Sequence, residues 1–558
     1  MRTRSGTGDR ELTFTSVLIG ILITVVFGAA NAYLGLRVGL TVSASVPAAV
    51  VSMGIIRLVL RRDSILENNM VQTIGSAGES LAAGAIFTMP ALYLWAGEGV
   101  TVPPGFLSVT VIALAGGVMG VLFMVPLRRN LIVDEDERLV YPEGRACADV
   151  LKAGEKGADG AGLVFGGLGA AVLLKLVTDL FRWLPGSLAI PFRRLRGELG
   201  FEISSALFGV GYVLGFRISS LVFAGSFLGW MVMIPVFCAA DGDAAALYAD
   251  GGAAAVWSRY VRFVGAGAIA TGGFLSLAKT LPQFVKTFRG LKVSGDGEDL
   301  PLGRVLVGVL AVILILALAP VVPFGFGGAI LVAIFGFFFA AVSARMVGLV
   351  GSSNNPVSGM TIATLVVATF VLRTCGAAGA AGMVAAISIG SVVCIIAAIA
   401  GDTAQDLKTG SIVGATPRRQ QIGELIGVTA SGLVIAGTLW LLNRAWGFGG
   451  EAIPAPQATL MKNIVEGIMG GTLPWGLLAI GVVLAVVLEI CRVPVMPFAL
   501  GLYLPVKLNA TIFAGGLVRC LLDRFRPSLS SRGVLLSAGL IAGEGVAGIL
   551  LALYMIIK

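Results

Sequence analysis

The 558-residue sequence contains no histidine, and this absence excludes histidine proton relays and histidine metal ligands. Charged residues make up only 13% of the chain, against roughly 25% in an average soluble domain. The six cysteines have no paired spacing, so they indicate neither a disulfide framework nor a zinc site. Any proton chemistry must therefore fall to carboxylates, and we expect no metal to be bound directly by the protein.

Motifs for nucleotide and hydrolase chemistry are missing as well. The sequence has no GxxxxGKS/T phosphate-binding loop, no GxSxG nucleophile elbow and no HExxH zinc motif. We therefore expect no enzyme activity and no cofactor. Any energy that its activity requires must therefore come from an ion gradient or from the gradient of its own substrate.

Long hydrophobic runs dominate what is present. Hydrophobic residues form 57% of the chain, and apolar runs recur from Leu12 to Ile557. These runs have the length of about 20 residues that a helix needs to cross a bilayer. The sequence therefore predicts an all-α polytopic integral membrane protein with about 14–16 transmembrane or half-membrane helices, some of them broken.

The net charge of +9 invites comparison with nucleic-acid-binding proteins. The basic residues, however, lie mostly in short clusters between the apolar runs. This arrangement is typical of the positive-inside bias of membrane proteins. We predict a multi-pass protein of the cell (inner) membrane, with the lipid bilayer and no nucleic acid among its partners.

Three short segments recur in the same order in the two halves of the chain. They pair residues 68–71 with 354–357, 142–149 with 417–424, and 208–225 with 498–515. The third pair aligns without gaps at an offset of 290 residues. We expect an internal duplication, with a first transmembrane repeat half at 1–290, a polar cytoplasmic linker at 291–304 and a second half at 305–558. The apolar segments do not decide between parallel and inverted repeats.

Two carboxylates lie within apolar segments. Glu79 follows eleven uncharged residues, and Glu544 stands in a similar Ala-Gly-Glu sequence. A charge at the centre of a spanning helix costs roughly 2.5–3.5 kcal/mol and is a functional candidate by default. We predict that Glu79 and Glu544 are proton-coupling residues. The alternative is a glutamate that is hydrogen-bonded to a neighbouring helix or lies near an interface.

Polar amides stand where two apolar segments begin. They are Asn68, Asn69, Gln72, Asn354 and Asn355. The Asn-Pro pair of the second copy disfavours continuous helix, and a free helix N-terminus can face an anionic substrate group. We expect these residues to contact substrate. Helix capping by asparagine is the alternative.

Two cations occupy matched positions of the aligned segments. Arg217 corresponds to Lys507, and Pro505 breaks the helix just before that lysine. We expect both cations to hold a substrate carboxylate, with Asn509 nearby to bond freed backbone groups. The cations could equally pair with a membrane glutamate or extend to the interface.

Two tyrosines lie one helical turn before a cation and are further candidates for the substrate site. They are Tyr33, before Arg37, and Tyr503, before Lys507. Membership in an aromatic belt at the membrane surface is the alternative.

The stretch 401–419 is polar and rich in turn residues, so we expect a loop there. Asp402 and Asp406 lie four residues apart within it, too few ligands for a metal site. We predict that they belong to a cytoplasmic gate or turn.

Taken together, these segments resemble the oligopeptide transporter family, and in particular prokaryotic members close to its yellow stripe-like metal-chelate branch. The stretches that carry the resemblance are "NNMVQTIGSAGESLAAGAIFTMPAL", "YPEGRACADVLKAGE", "NNPVSGMTIATL", "GDTAQDLKTGSIVGATPRRQQIGELIG" and "LYLPVKLNATIFAGG". The resemblance implies a proton-coupled secondary transporter of small peptides or amino-acid-derived metal chelates, working by alternating access. It is also compatible with a homodimer. The missing histidine implies that any metal arrives already chelated.

An uncoupled channel or facilitator for small polar solutes is the alternative function. The amides and cations above suit either a peptide or a chelate, so the sequence does not choose the substrate.

Overall fold

The computed structural model of the chain describes residues 11–39, 41, 45–58, 61, 64–135, 139–154, 161–275, 298–352, 355–377, 379–470 and 474–557. Nearly all of these residues are helical. The helices of the first half are α1 (Phe14–Val38), α2 (Ser45–Leu58), α3 (Ile65–Ile86), α4 (Pro90–Gly97), α5 (Phe106–Met124), α6 (Pro142–Gly154), α7 (Ala161–Lys175), α8 (Ser205–Phe227), α9 (Ile234–Ala240), α10 (Gly242–Val256) and α11 (residues 262–275).

The second half is built in the same way. Its helices are α12 (Leu302–Leu318), α13 (Gly325–Val350), α14 (Val357–Thr374), α15 (Gly379–Val413), α16 (Pro417–Trp446), α17 (Pro456–Met469), α18 (Trp475–Ile490), α19 (Val495–Tyr503), α20 (Val506–Phe525) and α21 (Pro527–Ile557). Short 3₁₀ or π turns extend several helices, at Val125–Leu127, Arg129–Asp134, Leu176–Leu180, Leu228–Met233 and Trp257–Val261.

Ten helices within the described residues are long and apolar enough to cross a membrane, and three shorter apolar helices accompany them. This confirms the prediction of an all-α polytopic membrane protein. One feature was not predicted, an antiparallel hairpin of β1 (Ser187–Phe192) and β2 (Gly197–Glu202), in which Ser187 pairs with Glu202.

The chain divides into two compact units, and neither unit coincides with a half of the sequence. Unit 1 comprises residues 1–32, 41–162 and 280–440, and unit 2 comprises 33–40, 163–279 and 441–558. Each unit therefore takes segments from both expected repeat halves. The expected linker is described only from residue 298, and its Asp299 is buried in unit 1, where it accepts a hydrogen bond of 2.5 Å from Arg128 Nε.

Helix α15 is the central element of unit 1. Twenty-seven of its 35 residues are buried, and it packs against α3, α5, α13 and α14. Small residues allow this close packing, because a Cβ added at Gly84 of α3 would lie 2.7 Å from the backbone of Ile395. The expected loop at 401–419 is wrong for residues 401–413, which continue α15 as helix before a turn leads into Pro417.

Helix α3 begins earlier than the asparagine pair suggested. Ser64 caps it by accepting a hydrogen bond from the backbone N–H of Glu67, which lies three residues later as in a capping box. Asn68 and Asn69 consequently lie inside the helix, in its first two turns. Neither residue caps α3 or stands at an unwound segment, contrary to the expectation from their position.

In unit 2, α8 packs along α19 and α20 through four glycines that touch the facing backbone. A Cβ added at Gly211 would lie 1.8 Å from the Ile512 carbonyl oxygen, and one added at Gly501 would lie 2.0 Å from that of Val222. Gly225 and Gly515 approach the carbonyl oxygens of Phe498 and Phe208 in the same way, each at 2.0 Å. Adding 290 to a residue number in the first segment gives the corresponding residue in the second, so Gly211 corresponds to Gly501 and Val222 to Ile512. Each glycine contact therefore has a counterpart with the roles of the two segments exchanged, and the two segments run antiparallel.

The helix breaks of these two segments also correspond. Gly215 has φ +78° and interrupts α8, and Pro505, 290 residues later, separates α19 from α20. A positive φ of this size strains every residue except glycine, whereas proline lacks the N–H that a continuous helix requires. Glycine in one segment and proline in the other thus interrupt the helix at corresponding positions.

Candidate functional site

Carboxylates collect in the interior of unit 1, where α3, α15 and α16 meet. Asp406 on α15 accepts a hydrogen bond of 2.6 Å from Gln72 Nε2 and a second one from the hydroxyl of Ser76, both on α3. Gln420 of α16 donates to the backbone carbonyl of Asp406 at 2.9 Å and joins the third helix to this point. Helical spacing explains the arrangement, because Gln72 and Ser76 are one turn apart on α3.

Two further acids adjoin Asp406. Asp402 lies one turn before it on α15, and Glu424 lies one turn after Gln420 on α16. Asp402, Asp406 and Glu424 are between 0 and 1% exposed. The three carboxylates lie close enough to interact electrostatically with one another. We call Asp402, Asp406 and Glu424 the acidic trio.

Glu79 lies on the same helix as Gln72, farther along α3. It is buried, with 4% of its surface exposed, and accepts a hydrogen bond from Asn31 of α1. It also interacts electrostatically with Asp402. The predicted proton-coupling residue therefore belongs to the surroundings of the acidic trio within unit 1.

The asparagines of the first copy have different environments. Asn68 accepts a hydrogen bond of 2.8 Å from Ser52 Oγ of α2. Asn69 is fully buried, and neither its amide oxygen nor its amide nitrogen has a hydrogen-bond partner in the described structure. Asn69 precedes Ser76 by two helical turns, which places it on the face of α3 that bears Gln72 and Ser76.

Asn355 lies in the non-helical segment before α14, as the Asn-Pro pair predicted. Its amide nitrogen donates to Ser343 Oγ at 2.7 Å, and its side chain does not cap α14. Asn354 lies outside the described residues.

Glu544 of unit 2 lies in a very different setting, among donors and cations. It accepts hydrogen bonds of 2.8 and 2.9 Å from the hydroxyls of Ser204 and Ser205, and one of 2.8 Å from the backbone N–H of Ala206. Arg37 Nη1 lies 3.5 Å and Lys175 Nζ 3.8 Å from its Oε1. These partners hold the carboxylate in its ionised form as part of a closed ion network.

Arg37 extends that network to the hairpin and to the tyrosine before it. Its guanidinium forms an ion pair with Glu202 at the end of β2 and lies 3.4 Å from the hydroxyl of Tyr33. The Lys175 ammonium lies 6.0 Å from the centre of the Tyr33 ring. Tyr33 thus lies beside two buried cations of unit 2.

Tyr503 contacts a different cation, Arg262. The Arg262 guanidinium lies 4.9 Å from the centre of its ring and donates to its hydroxyl, at 2.9 Å from Nε and 2.7 Å from Nη2. Tyr503 is 1% exposed, so this contact is inside the protein.

The matched cations of the two aligned segments do not meet a membrane carboxylate in the described structure. Lys507 Nζ pairs with Glu451 at 2.7 Å in a partly exposed position, and Arg217 is exposed. Asn509 is buried and donates to Ser226 and, at 3.2 Å, to the Gly501 carbonyl oxygen, across the helix break. That bond satisfies a freed backbone group, as the sequence predicted for Asn509.

Comparison with known proteins identifies the chain. The family model of the OPT oligopeptide transporter protein matches residues 11–555. A protein of Haemophilus influenzae named "Putative oligopeptide transporter" is 34% identical over 93% of this chain and 92% of its own length. The chain belongs to the OPT family.

Plant relatives are more distant. The rice protein "Probable metal-nicotianamine transporter YSL10" is 25% identical over 77% of this chain and 70% of its own length. The Arabidopsis thaliana protein "Metal-nicotianamine transporter YSL3" is 24% identical over 82% of this chain and 76% of its own length. The resemblance to the OPT family and to its yellow stripe-like branch is confirmed, and the chain is a transporter rather than an enzyme.

Several residues of this OPT chain were missed by the interpretation of the sequence. They are the functional candidates Arg37, Lys175, Glu202, Arg262 and Glu424. Each is a charge inside or beside an apolar segment, which is a signal that could have selected it. The predicted cations Arg217 and Lys507 were instead chosen because their positions match in the two repeats.

The possible metal ligands of this OPT chain do not form a cluster in the part of the chain that the structure describes. Across the described residues, no group of three or more cysteine, aspartate or glutamate side chains has the arrangement to hold a metal ion.

Proposed function

We propose that this chain is a proton-coupled symporter that imports small oligopeptides or peptide-like metal chelates by alternating access. The observation that carries the proposal is the group of buried carboxylates in unit 1. A buried charge without a counter-ion is costly, and such groups in membrane proteins are typical of proton pathways. Among the described contacts, no lysine or arginine forms an ion pair with Asp402, Asp406 or Glu424.

Glu79 remains our proposed proton-coupling residue of the predicted pair. Its surroundings contain other acids, so its charge responds to theirs. The ion network around Glu544 favours a structural role, because two cations and three hydrogen-bond donors already balance that carboxylate.

The reciprocal glycine contacts support alternating access. Two helical segments that are related by a two-fold axis and run antiparallel have opposite orientations in the membrane. This is the relation found in inverted-repeat transporters, in which one repeat-derived bundle moves against the other. We propose inverted repeats for 208–225 and 498–515, and we retain the halves 1–290 and 305–558 as the extent of the duplication.

The substrate is proposed from the names of the relatives, which include oligopeptide and metal-nicotianamine transporters. Amide, tyrosine and cationic side chains remain the proposed contacts to it. They are Asn68, Asn69, Gln72, Asn354 and Asn355, with Tyr33, Tyr503, Asn509, Arg217 and Lys507. Asp402 and Asp406, predicted as a gate, lie inside α15, so we propose that any gating by them acts through their charge.

An inner cell membrane location and a homodimer are further proposals that come from the family alone. The oligomeric state is measurable by light scattering of the purified protein in detergent.

Uptake by proteoliposomes tests the proposed function. The probes are radiolabelled trialanine and the iron complex of nicotianamine, each supplied with and without an inward proton gradient. A coupled importer accumulates one of them above its outside concentration only when the gradient is present, by about tenfold per pH unit for each coupled proton. Equal, gradient-independent flux of either probe would instead identify an uncoupled facilitator.

A further inference from the structure

The three carboxylates of the acidic trio differ in the hydrogen bonds that they accept. Asp406 accepts from Gln72 and Ser76, and these donors stabilise its ionised form. No carboxylate oxygen of Asp402 or Glu424 accepts a well-formed hydrogen bond, although the Ser76 hydroxyl lies near Asp402 and the Thr403 hydroxyl near Glu424. A buried carboxylate without donors is costly, whereas a protonated carboxyl group is neutral and can donate.

Unpaired acceptors also lie on the face of α3 that carries Gln72 and Ser76. The side-chain oxygen of Gln72 has no donor, although the nitrogen of the same amide binds Asp406. The fully buried Asn69, on the same face of α3, also has an oxygen without a donor. Buried carbonyl oxygens normally have a donor. These acceptors therefore point to a bound hydrogen-bond donor or a small cation, independently of the acids themselves.

We propose that Asp402 and Glu424 carry exchangeable protons of this transporter in addition to Glu79, and that Asp406 is the fixed negative charge of the trio. The inference rests on the proposed function and assigns its coupling site to Glu424, which the sequence did not select, and to Asp402, which the sequence predicted as part of a gate. Binding of one proton to a carboxylate oxygen of either residue removes one negative charge from the trio. Release of that proton to water restores the repulsion with Asp406.

Other titratable and charged groups face the trio and belong to its charge balance. Glu79 of α3 and Glu143 of α6 interact electrostatically with Asp402, and the Cys147 thiol of α6 interacts with Asp402 and Asp406. Lys408, also on α15, is buried and donates to the Ile132 carbonyl oxygen at 3.3 Å. Because most of these groups are acidic, loss of a proton from the trio adds to negative charge that is already present.

Infrared difference spectroscopy tests the assignment without any substrate. The purified protein in lipid is titrated from mildly acidic to alkaline buffer, and the carbonyl stretch of protonated carboxyl groups is followed. We expect the wild type to lose this signal as the pH rises. Asp402→Asn and Glu424→Gln should each remove part of it. Glu67→Gln is the matched control, because Glu67 is a buried acid of α3 that accepts a hydrogen bond of 2.5 Å from Thr13 outside the trio.

Parallel titrations in sodium and in choline buffers distinguish the two cations that such oxygens can bind. A signal that is independent of sodium supports protons, whereas a signal that sodium removes at constant pH overturns the proton assignment in favour of a sodium site. An unchanged signal in both Asp402→Asn and Glu424→Gln would overturn the assignment of these residues. If one variant does not fold, Glu424→Asp, which keeps the carboxyl group, supplies a shifted titration for comparison.

The infrared experiment tests the protonation site, and the uptake experiment tests the substrate and its coupling to protons, so either hypothesis can be wrong without the other. If the carboxyl signal belongs to Asp402 and Glu424 but no probe accumulates, the protonation site stands and the proposed substrates are wrong. If a probe accumulates with the proton gradient, we expect Glu424→Gln to lower the accumulation ratio to one while exchange of labelled for unlabelled probe continues. Gradient-driven accumulation that survives in both variants overturns the coupling role.

Discussion

Replacement of the contact glycines by alanine gives the sharpest test of the packing in unit 2. Gly211→Ala on α8 places a methyl group 1.8 Å from the Ile512 carbonyl oxygen, and Gly501→Ala places one 2.0 Å from that of Val222. Real Cβ contacts are never this short, and the obstructing atoms belong to the backbone. The helices must therefore separate by more than 1 Å, whereas a flexible side chain would simply have turned away.

The magnitude follows from two opposing effects. Overpacking of a tight interior costs about 1–3 kcal/mol, and a backbone obstruction belongs at the upper end. Alanine in place of glycine within a helix gains about 0.5–1 kcal/mol where space is available. Gly169 of α7 supplies the matched control, because a Cβ there has no atom within 4 Å. Both variants share that gain, so it cancels in their comparison, and we expect Gly211→Ala to be less stable than Gly169→Ala by about 2–3 kcal/mol, at least about thirtyfold in the ratio of folded to unfolded protein.

The assay is unfolding of the purified variants in detergent, followed by tryptophan fluorescence and by the loss of monodisperse protein. Because their contacts are reciprocal, Gly211→Ala and Gly501→Ala should destabilise the protein by similar amounts. Stability equal to that of Gly169→Ala would refute the close approach of the two segments. A large loss at one glycine with none at the other would refute their equivalence as members of a repeat.

Further predictions concern the ion network, the Tyr503 contact and the start of α3. Glu544→Gln should cost about 3–5 kcal/mol, because it leaves buried cations unbalanced, and adding Lys175→Met should restore part of that stability in a double-mutant cycle. Tyr503→Phe should cost about 1–3 kcal/mol, because it removes the hydroxyl that accepts from Arg262 Nε and Nη2, although the Gly449 and Pro454 carbonyl oxygens still accept from Nη1 and Nη2; an unchanged melting temperature would contradict this. Ser64→Ala should cost about 1 kcal/mol and speed hydrogen exchange in the first turn of α3 while leaving its middle protected.

The sequence predicted the features that depend on local composition. Runs of apolar residues predicted the membrane helices, and Asn355 and Pro356 predicted a break before α14, because proline constrains the residue before it whatever the tertiary structure. The same local rules apply to Ser64 and Glu67, whose spacing indicates a capping box. The start of α3 was misplaced because Asn68 and Asn69 suggested that the helix begins at the asparagine pair.

Tertiary contacts decided what the sequence could not. Residues 401–413 look like a loop because they are polar, yet they form helix because Gln72 and Ser76 of a distant segment bind Asp406. Likewise, a cationic partner for Glu544 could be expected, but Arg37 and Lys175 are its partners and not Arg217 or Lys507. Pairings across hundreds of residues leave no local pattern, so a single sequence does not reveal them.

The two groups of membrane carboxylates therefore differ in what protonation would do. Protonation of Glu544 would leave Arg37 and Lys175 facing a neutral group inside unit 2, so the network resists it. Protonation of Asp402 or Glu424 would reduce repulsion within the acidic trio and convert an unpaired carboxylate into a neutral group that can donate a hydrogen bond. If this contrast holds, acidification should stabilise the folded protein through the trio, and Glu424→Gln should weaken that pH dependence. Glu544→Gln should instead lower stability at every pH. A wild-type stability that falls on mild acidification and is restored by Glu424→Gln would contradict the argument.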